Sequence, residues 1–78
     1  MKTKYIRGSY HLIWLVIRHL RANRDRMFFP QTVTNDMEKL YGYRCSWLEV
    51  DLALRMGVEY GQLFRRNDGR YLWQEKKA

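Results

Sequence analysis

The stretch "LFRRNDGRYLW", residues 63 to 73, restricts what this chain can fold into more than any other segment. Two runs of apolar and aromatic residues flank Asn67, Asp68 and Gly69, residue types that reverse a chain, so the segment reads as a β-hairpin. Two turns are open to it. A three-residue loop with Gly69 in the left-handed conformation pairs Leu63 with Trp73, Phe64 with Leu72 and Arg65 with Tyr71. A two-residue Asp68-Gly69 turn pairs Phe64 with Trp73 instead. The first is preferred because it turns Leu63, Tyr71 and Trp73 inward together. It also brings Arg66 against Arg70 at the tip, a like-charge pair that is unfavourable unless an anion joins it.

Three helices are expected ahead of the hairpin. Ser9 is a good cap, and Tyr10, Ile13, Trp14, Ile17 and Leu20 follow at helical spacing, giving a first helix from 9 to about 23. Arg18, Arg21 and Arg24 fall in its last turn, where cations complement the carbonyl end of the helix dipole. "MFFP" at 27 to 30 suits a very short first strand or an extended link. Val33, Met37, Leu40 and Tyr41 mark a second helix over 31 to 41, ended by Gly42. "SWLE" at 46 to 49 has the spacing of a capping box and starts a third helix. Its apolar face takes in Trp47, Val50, Leu54 and Val58, widened by Leu48 and Leu52, and Gly57 or Gly61 ends it, near 60.

With 78 residues the chain has room for one domain and one core, and residues 1–8 and 75–78 read as loose ends. A single cysteine, Cys45, permits no internal disulfide and too few thiolates for a zinc site, which fits a reducing, intracellular setting. His11 and His19 stand two turns apart, too far to share a metal ion. The longest apolar run, "LIWLVI" at 12 to 17, is far shorter than the roughly 20 residues of a membrane span, and no signal-peptide cleavage site follows it. No nucleophile, base and orienting group occur in a recognisable catalytic pattern, and no cofactor, small-molecule substrate or membrane partner is expected.

The order helix, short strand, helix, helix, strand, strand is that of a small α+β winged helix, a helix-turn-helix with a C-terminal wing. "LALRMGVEYGQLFRRNDGRYLW" resembles the linker-histone pattern. The resemblance is closer to the winged helices at the N-termini of atherin and of MYST-type histone acetyltransferases, and it covers about residues 10 to 73. It rests on Trp14, the Arg26 to Pro30 link, "LYG" at 40 to 42, Leu54, Val58, Gly61 and Tyr71. The resemblance implies double-stranded DNA binding through the wing and the adjoining helix end, with a role in transcription or chromatin regulation. The compartment would be the nucleus in a eukaryote and the cytoplasm in a prokaryote or a virus.

The charge distribution modifies that expectation. The chain carries +7 overall, yet the charges are segregated: seven basic against one acidic over 1–30, three against five over 31–60, and five against two over 61–78. Such a net charge favours a polyanionic partner. The third helix departs from a groove-reading helix, because Glu49, Asp51 and Glu59 outnumber Arg55, which argues against its deep insertion. The DNA-contacting residues expected are therefore Arg65, Arg66, Asn67 and Arg70 in the wing, Lys76 and Lys77 beyond it, and Arg44 and Ser46 at the start of helix three. Arg66 or Arg70 would read guanine. The competing expectation is a protein-interaction module that docks through the acidic third helix and the apolar wing face of Phe64 and Leu72. On that reading the arginines only keep an edge hairpin soluble. A weaker third is attachment of helix one to anionic lipid.

Overall fold

A computed structural model of the protein describes residues 4–5 and 10–74. Along the chain lie β1 (Lys4–Tyr5), α1 (Tyr10–Ala22), α2 (Pro30–Tyr41), β2 (Tyr43–Arg44), α3 (Trp47–Glu59), β3 (Leu63–Arg65) and β4 (Tyr71–Trp73). Three helices followed by an antiparallel hairpin form a small α+β domain with winged-helix topology. No helix among the described residues is long and apolar enough to cross a membrane.

The hairpin adopts the three-residue loop. Leu63 pairs with Trp73, Phe64 with Leu72 and Arg65 with Tyr71. The Arg66 N–H donates to the Arg70 carbonyl at 2.7 Å, and the Gly69 N–H donates to the Arg66 carbonyl at 3.0 Å. Gly69 has φ +93°, which a side chain would strain, so the glycine selects the turn and the turn selects the register. The expected first strand shrinks to one residue. Phe28 exchanges both backbone bonds with Tyr71, at 2.8 and 2.7 Å, and Pro30 opens α2 two residues later, leaving no length for a strand. Phe28 thus forms a single antiparallel bridge beside β4. At the front of the chain, Lys4–Tyr5 pairs in parallel with Tyr43–Arg44.

The capping box is formed as expected. Ser46 is the N-cap of α3, its Oγ accepts from the Glu49 N–H at 3.2 Å, and its own N–H donates to Glu49 Oε1 at 3.1 Å. Gly42 closes α2 with φ +71°. α3 runs past Gly57 and stops at Glu59, ahead of left-handed Gly61. Gly57 serves a different end: it is buried, and a Cβ there would lie 2.5 Å from Leu63 Cδ1 and 2.8 Å from Leu63 Cγ. Its missing side chain is what lets α3 settle onto β3.

The core gathers Leu12, Ile13, Val16, Ile17 and Leu20 of α1, Val33 and Met37 of α2, and Val50, Ala53 and Leu54 of α3 around Phe28, Leu63 and Tyr71. Several expected core residues are not in it. Trp14 is half exposed, because α1 turns its Leu12 and Val16 side inward. Leu40 is 64% exposed at the end of α2. On α3 the buried side runs through Val50, Ala53, Leu54 and Gly57, so Trp47, Leu48, Leu52 and Val58 all face solvent. The small residues Ala53 and Gly57 are central to that face because α1 and β3 pack closely there.

One polar group is taken into the core. His19 is 2% exposed, stacks at a tilt on Phe28 with ring centroids 5.3 Å apart, and uses both ring nitrogens. Nε2 donates to Asp36 Oδ2 at 2.9 Å, since an ionised carboxylate can only accept. In the neutral ring Nδ1 then accepts from the Tyr41 hydroxyl, also at 2.9 Å. His19 therefore ties α1 to two points of α2 with no polar atom of its ring left unsatisfied.

Candidate nucleic-acid interface

The register of the hairpin decides which arginines are held where. Leu63, Arg65, Tyr71 and Trp73 share the inward side, and Phe28 lies beside Tyr71 on the same side. Phe28 and Tyr71 are buried, and arginines lie over their rings. Arg26 sits over Phe28 at 4.7 Å from the ring centroid, Arg65 over Tyr71 at 6.0 Å and Arg21, reaching from the end of α1, over Trp73 at 5.7 Å. Tyr71 and Trp73 are two residues apart along β4, a rise of about 7 Å. The three guanidinium groups thus follow a rim of the sheet, each lying over a ring and each exposed. None of the three has a carboxylate within ion-pair distance among the described residues. A guanidinium stacked on a ring keeps its N–H edge available for an oxyanion and has less freedom to lose on meeting one.

The wing tip is arranged differently. Arg66 and Arg70 do meet there, and the anion between them is the protein's own Asp68. Arg70 donates from Nε at 2.8 Å and from Nη2 at 2.7 Å to Asp68 Oδ2, while its backbone N–H donates to Oδ1 at 3.1 Å. Arg66 Nε lies 3.6 Å from the same oxygen. These contacts hold the Asp68 carboxyl at a pKa of about 2, below its ordinary 3.8, the hydrogen bond from the Arg70 side chain being the largest cause and its backbone N–H the next. A folded value below the unfolded one means the tip interaction is complete above pH 3.8 and is lost as pH falls through about 2. A carboxyl NMR titration of Asp68 is expected to show that low midpoint, and Arg70→Gln to return it toward 3.8.

The other expected contacts fare unevenly. Asn67 is exposed in the loop beside Arg66. Arg44 is exposed in β2, with Nη2 3.8 Å from Glu38 Oε2, a contact of little strength at the surface. Ser46 is committed to the capping box, and the carboxylate of Glu49 occupies the helix start where a phosphate was expected. Lys76 and Lys77 lie outside the described residues. Arg21 and Arg26, read from the sequence only as helix-end charges or as part of a link, join Arg65 because α1 ends beside β4. Alternation in the hairpin supplied Arg65, but nothing local to Arg21 or Arg26 announces a partner 52 residues away or two.

Cys45 is buried, and its thiol pKa is raised by that burial first and then by the carboxylates of Glu49 and Glu38, which disfavours the reactive thiolate. The outer side of α3 is equally ill-suited to an anion. Leu48 and Leu52 are exposed one turn apart, Arg55 is drawn to Asp51 at 3.1 Å, and Glu59 stands at the far end. The chain matches no family model, no curated protein and no solved structure.

Proposed function

We propose that this domain binds double-stranded DNA without catalysing a reaction, gripping the phosphate backbone with the arginine rim and keeping α3 out of the groove. The supporting observation is the set of three arginines, Arg21, Arg26 and Arg65, placed over the rings of Trp73, Phe28 and Tyr71 with no carboxylate within ion-pair distance among the described residues. Phosphate contacts supply most non-specific affinity, and an arginine already oriented on a ring is well suited to making them. Arg66 extends the rim toward the tip, where Asp68 shares its charge. The resemblance of residues 10 to 73 to linker-histone-like winged helices supports a role on chromatin or in transcription, in the nucleus of a eukaryote or the cytoplasm of a prokaryote or virus.

A gel shift on random duplex DNA across a salt series tests the proposal. If about four phosphates are covered, the logarithm of affinity should fall against the logarithm of salt with a slope of about −3.6. That is a loss of about 150-fold between 50 and 200 mM. No binding at low salt, or binding indifferent to salt, would overturn the proposal.

A further inference from the structure

Two exposed faces, the outer side of α3 and the outer side of the wing, are complementary to one another. On α3, Leu48 and Leu52 are 63% and 55% exposed, one turn apart on the side opposite the buried Val50 and Leu54. On the wing, Phe64 is 51% exposed and pairs with Leu72 on the outward side. Beside Phe64 opens a hollow of about 300 Å³, lined by Phe64, Arg66, Asn67 and Asp68. One surface offers two projecting leucines; the other offers an apolar strand pair beside a recess.

Charge selects which surface meets which. α3 carries Glu49, Asp51 and Glu59 against Arg55, a net charge of −2. The outer side of the wing carries Arg66 and Arg70 against Asp68, a net charge of +1, since Arg65 lies on the inner side with Tyr71. Contact of α3 with α3, or of wing with wing, would oppose like charges, whereas α3 against a wing opposes unlike ones. A single copy cannot make that contact internally. Leu63 packs on Gly57, so the inner sides of the hairpin and of α3 face each other and their outer sides, with Phe64 and Leu52, point away. We infer that the occupant of each surface is a second copy of this chain: the α3 face of one copy docks on the outer wing face of the next, and the domain self-associates head to tail. Such a contact uses two different patches, so each added copy leaves one of each open and growth continues until the ring closes or a filament forms.

The inference stands apart from the DNA reading, and its test uses no DNA. Sedimentation of the parent up to about 1 mM, a range that reveals even weak association, should show mass rising with concentration and falling with added salt. A Leu48→Ser, Leu52→Ser double variant and a Phe64→Ser variant each alter only exposed side chains, so both should melt like the parent. Each alone should weaken self-association by about thirtyfold or more, the effect of removing an interface anchor. Mixed in equal amounts they should form dimers and nothing larger, because one brings an intact wing and the other an intact α3. A parent that stays monomeric throughout, a loss caused by only one of the two variants, or a mixture that stays monomeric would each overturn the inference.

Discussion

Leu54→Ala is expected to remove about 2 to 5 kcal/mol of folding stability, the range for a buried leucine whose site cannot collapse. Leu54 is fully buried on the side of α3 that meets α1, and the neighbouring small residues Ala53 and Gly57 already bring the elements as close as they can pack. The cavity would therefore persist. At about 0.05 to 0.15 kcal/mol per residue, a chain of this length has roughly 4 to 12 kcal/mol in total, so one methyl-rich side chain decides whether the domain is folded at body temperature. Leu40→Ala supplies the contrast, since that side chain is largely exposed and should shift stability by no more than about 0.5 kcal/mol, and Trp14→Ala, at a half-exposed site, should cost less than Leu54→Ala. Denaturant melts of the three variants check this directly. If Trp14→Ala proved as costly as Leu54→Ala, the inward side of α1 would be wrongly assigned.

That contrast also marks how far the sequence could be read. Features with a local cause were legible: the hairpin register follows from Gly69, the start of α3 from Ser46 and Glu49, and the end of α2 from Gly42. Which side of each helix faces inward was not, and the reason is specific. α1 is apolar over most of its first two turns, so a stripe through Tyr10, Ile13, Trp14 and Ile17 fits helical spacing as well as one through Leu12, Ile13, Val16 and Ile17. The inward side also takes in His19, held by Asp36 and Tyr41, partners 17 and 22 residues away that no local pattern joins to it. On α3 the large apolar residues Trp47, Leu48 and Val58 fit helical spacing too, but close packing against β3 calls for the small Ala53 and Gly57. The site was legible in the same partial way. Arg65 follows from strand alternation, whereas Arg21 and Arg26 become part of the rim only once α1 and Phe28 lie against β4.

Asp68 supplies the sharpest test of the interface. Two arginines across a hairpin tip suggested a missing anion, yet the carboxylate between them in sequence already fills that role. Arg70, bonded three times to Asp68, should therefore contribute little to DNA binding, so Arg70→Ala should leave the salt slope almost unchanged. Arg26→Ala and Arg65→Ala each remove a cation that has no such partner among the described residues, and each should flatten the slope by about one unit. Both also lose a contact with a ring, worth about 0.5 to 1 kcal/mol at an exposed site, so a melt must accompany each binding curve. Asp68→Asn should act in the opposite direction. It keeps the size of the turn residue but withdraws the counter-ion, leaving Arg66 and Arg70 to seek phosphate oxygens, and the slope should steepen by about one to two units. Affinity at low salt should rise with it, while the hairpin tip itself is weakened by the uncompensated pair. If Arg70→Ala weakens binding as much as Arg65→Ala does, or if Asp68→Asn binds no more tightly than the parent, the tip is not self-neutralised in solution and the contact surface lies at the wing tip rather than along the rim.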